Sequence, residues 1–454
     1  MKTLADVLAE RVLAAKQATV AGSAVFASAA QHFLDTLASV LVGFKVGTYK
    51  ALLNCLQDGR GQVPVPGSDL RLSAGDAAAV VAYQINSSVI EGGSRQGATH
   101  PAAAVVPVLW ALGRDMDLAR LYPAMTAGYE AMIRLAALGN PRLALRGFHP
   151  TGLTAPLGAA VAAAVLLDMD QEQLSRALRL AVAGSCGLMR AFKEETTQPL
   201  HVAHATRAGL IAALLAQKGA EADPAMLESG FIPAYMGDGV ALGQDVFAGP
   251  GHRWAIQDAY LKLYPGCRHV HPALDAWTRL METQDLDYRQ VESAKIATYK
   301  VAVETEIHEV KSRGDAYFNG AYALALKAVL GRADWDAFDT AHLNDPTVQD
   351  FARRVQVVLD EEIEKTYPRL RSARLTLKLK DGRTLSIFQE LAKGEPETPF
   401  SMEETAQKFR GEAEKYLSAQ AMESIVSKVS QGRGRAQDVF QFLPDHVREG
   451  KADG

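Results

Sequence analysis

Three histidines in this sequence stand directly before proline: His100 in Gly97-Ala-Thr-His-Pro101, His149 in Arg146-Gly-Phe-His-Pro-Thr-Gly152, and His271 in Tyr264-Pro-Gly-Cys-Arg-His-Val-His-Pro272. Imidazole titrates near neutral pH, so such residues can take a proton and give it back. A residue before proline is pushed out of the α region. That predicts a helix start after each histidine, where free backbone N–H groups and the macrodipole attract anions. Cations cluster in the same segments. Arg95 precedes His100, Arg142 and Arg146 precede His149, Arg190 and Lys193 share one short stretch, and Arg268 adjoins His269. Planar guanidinium groups suit carboxylates. Together these residues predict a pocket that binds a small polyanion and moves protons. Singly, each has a plainer reading: a histidine that caps or packs, an arginine on a wet surface.

A metal is the competing chemistry. Cys267, His269 and His271 alternate, so they would share one face of an extended segment. His201 and His204 could add ligands. The segment also carries Pro265, Gly266 and Arg268, no carboxylate is nearby and no second ligand group has a matching signature, so no metal site is expected. Walker A, HExxH and CxxC sequences are all missing, and no cofactor is expected either.

The elements that must position these residues are mostly helical. Ser28–Gly43, Pro101–Leu112, Gly152–Leu167, Glu172–Met189 and His201–Lys218 carry apolar residues at helical spacing. Several are apolar nearly all round, which places them inside a sheath of other helices. The texture changes near Tyr264. Ser293–Val303 alternates loosely, and two alternating runs flank Asp381-Gly382, a hairpin signal. Asp315–Leu330 and Asp345–Leu359 read as helices between them, and Ser401–Val429 is helical with a capping box at Ser401 and Glu404. The fold expected is mainly α: a large all-helical domain over 1–268 and 397–454, and a smaller α+β domain over 269–396 that could act as a lid. Lys262–Asp275 falls at the junction, and clefts between domains favour small molecules.

Composition narrows the partners. Lys and Arg total 48 against 52 Asp and Glu, a net charge of -4, so no broad basic field exists for nucleic acid. Asp6 and Glu10 inside the first apolar stretch do not suit a signal peptide. Gly152–Leu167 is too short for a membrane span. Three scattered cysteines point to a reducing compartment. A cytoplasmic protein with no membrane partner is expected.

In order and spacing, the chain resembles the MmgE/PrpD family, which includes 2-methylcitrate dehydratase, cis-aconitate decarboxylase and iminodisuccinate epimerase. The resemblance rests on Asp35-Thr-Leu with Gly43, His100-Pro-Ala-Ala-Ala-Val-Val-Pro107, Gly128-Tyr-Glu130 with Arg134, Gly147-Phe-His-Pro-Thr-Gly152, Pro199-Leu-His201 and Tyr264-Pro-Gly-Cys-Arg268 with His271. It implies a helical domain with a smaller α+β domain, a homodimer, and His100, His149 and His271 as active-site histidines. Two departures stand out. Dehydratase and decarboxylase members carry an acidic D-x-D-D-T cluster before the His-Pro motif, where this chain has Ile90-Glu-Gly-Gly-Ser94, with Glu91 as its only carboxylate and displaced from the aligned positions. They also carry a lysine at the position of Gln198.

The chemistry expected is proton abstraction next to a carboxylate of a small polycarboxylate. The three histidines serve as base and acid; Arg95, Arg146, Arg190, Lys193, Gln198 and Arg268 hold carboxylates. Dehydration needs an acid for the departing hydroxyl, and the departures weaken that element most. Epimerisation therefore stands slightly ahead of a dehydratase or other lyase drawing its acid from histidine or Tyr264. A carboxylate-binding protein without catalysis is the remaining alternative.

Overall fold

The computed structural model of the chain describes residues 2–242, 246–248 and 253–441; the side chain of Lys193 is outside that description. The chain divides into two compact units, Met1–Ala259 with Ser401–Gly454, and Tyr260–Phe400. The divisions expected after 268 and 396 shift because 260–268 is tied into the second unit. Leu261 N–H donates to the Gly394 carbonyl (3.0 Å) and Cys267 N–H to that of Tyr317 (2.9 Å).

The first unit opens with eight principal helices: α1 (Leu4–Ala18), α2 (Ala24–Val46), α3 (Ala74–Ser87), α4 (Ala102–Leu112), α5 (Leu118–Gly139), α6 (Pro150–Leu166), α7 (Gln171–Ala181) and α8 (Thr197–Gln217). Thr3, Ser23, Ser73 and Asp170 cap α1, α2, α3 and α7 by accepting a hydrogen bond from a first-turn N–H. Every residue of α6 is buried, and α4 is buried up to its last residue. This is the sheathed arrangement the apolar sequences call for: α6 packs against α4, α5, α7 and α8. Small residues let the backbones meet. A Cβ on Gly209 of α8 would stand 2.2 Å from the Pro156 carbonyl oxygen of α6. One on Gly128 of α5 would stand 2.9 Å from that of Gly158. Among the described residues, α2 is the one helix long and apolar enough to cross a membrane, and 83% of its apolar stretch is buried in the protein.

The second unit contains α9 (His271–Gln284), β1 (Val291–Thr298), α10 (Gly320–Leu330), α11 (Pro346–Arg353), β2 (Val355–Leu359), β3 (Ala373–Leu379) and β4 (Thr384–Gln389). The sheet order is β2-β1-β3-β4. β1 runs parallel to β2 (Ala294 opposite Val355) and antiparallel to β3 (Ile296 opposite Leu375). β3 and β4 form the hairpin around Asp381-Gly382, with Leu377 opposite Leu385. Ala373, Leu375, Leu377 and Leu379 point inward, and α9 covers this half of the sheet. The chain then returns to the first unit as α12 (Met402–Ala413) and α13 (Ala419–Gln431), with the capping box at Ser401 and Glu404 formed.

Four sequence readings change. Strand β1 stops at Thr298, and Lys300–Glu304 is a helical turn. The helical reading of 345–359 covers two elements, because Val355, Val357 and Val358 enter the sheet. The 172–189 segment leaves the α-helix at Ala181 and continues in 3₁₀ turns. Within 315–330 the long helix starts only at Gly320, where the Asn319 side chain accepts from Tyr322 N–H.

Candidate active site

His100 sits at the end of a loop that α3 delivers and α4 receives. Its ring is 21% exposed. Nδ1 lies 3.1 Å from the Gly92 carbonyl oxygen and 3.5 Å from Glu91 Oε1. A carbonyl can only accept, so the neutral ring carries its proton on Nδ1 and keeps the Nε2 lone pair. That is the form of a base. The His100 backbone N–H donates to Thr151 Oγ1 at 3.2 Å. Thr151 lies on the first turn of α6, beside His149, so this bond ties the two His-Pro segments together.

The preceding turn is clamped from α5. Asn140 Nδ2 donates to the carbonyls of Arg95 (3.2 Å) and Gln96 (2.8 Å). Arg134 Nη1 donates to Gln96 Oε1 at 2.9 Å, and its Nε donates to Glu130 Oε1 at 2.9 Å. The Gly128-Tyr-Glu130…Arg134 pattern thus builds a buried ion pair that fixes the loop ahead of His100. Each charge there is matched and hydrogen-bonded, as burial demands.

His149 caps α6 in extended conformation (φ -81°, ψ 106°), as expected before Pro150. It is 1% exposed, and its N–H donates to the Gly187 carbonyl at 3.1 Å. The ring meets Phe192 edge-on at 5.0 Å, and the His201 ring at 5.8 Å. Among the described residues, neither ring nitrogen has a hydrogen-bond partner. Burial, then the neighbouring His201, pushes its pKa down to about 3, so the ring is neutral near pH 7. His201 is also lowered, by burial and then by His204. Gly187 closes over both rings in a conformation (φ 120°) that favours glycine, where a Cβ would stand 2.9 Å from His201 Nδ1.

In the second unit, His271 is fully buried, and its Nδ1 lies 3.0 Å from Arg268 Nη1. Arginine only donates, so the His271 proton sits on Nε2. Its backbone is helical (φ -61°, ψ -41°), contrary to the expectation for a residue before proline, because the 3₁₀ turn Arg268–Val270 runs straight into α9. Arg268 donates from Nε to Glu395 Oε1 (3.0 Å) and from Nη2 to the Lys393 carbonyl (3.0 Å), and it stacks over Tyr260. This is a structural post rather than an open carboxylate clamp. Tyr264 donates to Asp275 Oδ1 (2.9 Å), and burial pushes its pKa far up, so it is a poor acid.

Arg142 and Arg146 are exposed and donate to the carbonyls of Asp238 and Ala234. Arg190 is exposed, and Arg95 and Gln198 are half-buried. The side chain of Lys193 lies outside the described residues. His269 does not join His271 as a ligand pair: its Nδ1 bonds the Tyr299 hydroxyl. Among the described residues no group of three His, Cys, Asp or Glu is placed to hold a metal ion. Sequence reasoning missed Thr151 and set Glu91 aside as displaced; the signal for Glu91 was its place just before the His100 segment. His201 was seen only as a metal ligand.

The MmgE/PrpD N-terminal domain matches residues 7–241 and the MmgE/PrpD C-terminal domain matches residues 264–431. A cis-aconitate decarboxylase from Homo sapiens is 26% identical over 381 residues, covering 80% of this chain and 77% of its own length. One from Aspergillus terreus is 25% identical over 406 residues, covering 83% and 82%. A cis-aconitate decarboxylase-like protein from Aspergillus oryzae is 23% identical over 430 residues, covering 88% and 89%.

Proposed function

The chain belongs to the MmgE/PrpD family, and from that premise we propose that it is a lyase acting on a small polycarboxylate, with His100 and His149 as its proton-transfer groups. The observation that carries this reading is the 3.1 Å contact of His100 Nδ1 with the Gly92 carbonyl, which leaves Nε2 as the base. Two of the relatives named above are cis-aconitate decarboxylases, which moves the preference from isomerisation to a lyase.

In a decarboxylation the C–C bond to a carboxylate breaks and carbon dioxide leaves. The electron pair stays on a carbon next to an unsaturated or carboxylated neighbour, and a histidine returns a proton there. In a dehydration a histidine takes the proton, the pair forms the double bond, and the departing hydroxyl is protonated. Both place negative charge beside a carboxylate, where a positioned donor acts most strongly. His149, neutral and at the N-terminus of α6, supplies an N–H and gains basicity as a polyanion approaches. His271, with its proton on Nε2, has donor character as well. The homodimer implied by the resemblance is carried as part of this proposal.

The test is proton NMR in heavy water with a panel of di- and tricarboxylates, cis-aconitate first. Loss of a carboxylate or appearance of an alkene supports the lyase. Deuterium entering an α position with no loss of material would replace it with an epimerase. Binding seen as thermal stabilisation with no turnover and no exchange would point to a non-catalytic carboxylate binder.

A further inference from the structure

We propose that Glu91 is the positioning residue of His100, a buried carboxylate that holds the imidazole and strengthens it as a base. The inference rests on the functional reading above only for what the base then does. Glu91 is 2% exposed. Its Oε1 accepts from Asn86 Nδ2 at 3.0 Å and stands 3.5 Å from His100 Nδ1, the nitrogen that carries the proton. A carboxylate at that distance stabilises the imidazolium that forms when Nε2 takes a proton. It stands displaced from the positions where the family's acidic cluster aligns, so the resemblance assigns it no role.

The backbone is strained to put it there. Val89 adopts φ 54°, the left-handed region, which a β-branched side chain rarely enters. Such strain persists only where the surroundings over-determine it, and it gathers at functional positions. Here Ile90 N–H reaches Ser88 Oγ (3.4 Å) and the Ile90 carbonyl accepts from Lys408 Nζ (2.9 Å). Lys408 is itself held by buried Asp35 (2.6 Å). Among the described residues, Glu91 is a charged group that faces the His100 ring, and the Lys408–Asp35 pair holds the backbone carbonyl just before it. Gly92 O is its neutral polar contact.

Glu91→Gln keeps the shape and removes the charge. The base must be unprotonated to act, and the carboxylate raises the pH at which it becomes so. In Glu91→Gln the acid limb of kcat/KM is expected to move down by about one pH unit. The plateau kcat should fall on the order of 100-fold, with KM nearly unchanged. A loss of kcat with the limb unmoved would reduce Glu91 to a structural residue. Should turnover be immeasurable, the ring is read directly: ¹⁵N-histidine spectra, with the signal assigned through His100→Asn, should show the His100 titration falling by a similar amount in Glu91→Gln. An unshifted titration overturns the proposal. If His100→Asn retains full activity, the assignment of the base fails, while the Glu91–His100 titration coupling can still be present.

Discussion

Arg268 stands beside two histidines in the sequence, and nothing in its neighbours distinguishes a substrate clamp from a structural post. Its bonds do: Glu395 is 1% exposed and accepts from Arg268 Nε. Arg268→Met should destabilise the protein by about 3–5 kcal/mol, the usual cost of removing one partner from a buried ion pair. Urea unfolding is the measurement, and a variant of full stability with a raised KM would restore the clamp. The histidines carry a second prediction. His32, His149 and His269 are pushed down to about 4, 3 and 3, chiefly by burial. A histidine whose folded pKa lies below its unfolded value stabilises the fold fully above the unfolded pKa, about 6.5. That contribution is lost as pH falls toward the folded value, because the unfolded chain binds the extra proton. The urea midpoint should therefore fall between pH 7 and pH 5, and His149→Phe should flatten the fall. A flat wild-type curve across that window would contradict the burial of these rings. Residue types and the proline neighbours made the histidines legible in the sequence. Which nitrogen each ring offers was not legible, since it depends on the Gly92 carbonyl and the Arg268 side chain, contacts with no periodic signature.

Among the elements, the apolar helices and the Asp381-Gly382 hairpin were readable because their signals are local and repeated. The boundary at 354 was not, because α11 and β2 are joined with a single residue between them, and the helical pattern runs on into Val355. Helix crossings were also invisible: a glycine in a helix reads as a weak point, yet Gly209 is where α8 touches the backbone of α6. Gly209→Ala brings a Cβ to 2.2 Å from the Pro156 oxygen, and a backbone atom cannot swing aside. Overpacking typically costs about 1–3 kcal/mol, so the midpoint of thermal unfolding should drop measurably. Gly411→Ala on α12, where a Cβ meets nothing within 4 Å, should leave the midpoint unchanged or slightly raised. Equal effects at the two positions would mean that the helices separate easily.

On the scale of the whole molecule, the first unit is discontinuous: α12 and α13 return to it after the entire second unit has been built. Composition and texture announced a return of helix after Phe400, but not what it would touch. Lys408 reaches Ile90 from 318 residues further along the chain, and it pairs there with Asp35 at the centre of α2. The segment that carries Glu91 is thus held by a helix that follows the whole second unit along the chain. Lys408→Met takes the cation away from buried Asp35 and frees the Ile90 carbonyl, so it should cost about 3–5 kcal/mol and also cut turnover in the fraction that remains folded. Asp35→Asn with Lys408→Met removes both charges together. If the ion pair matters only for stability, the double variant should recover stability and turnover alike. If it also fixes the strained turn at Val89, stability should recover while turnover stays low, because the bond to the Ile90 carbonyl is still missing. Turnover at wild-type level in a stable Lys408→Met single variant would show that the turn holds its shape without the Lys408 bond.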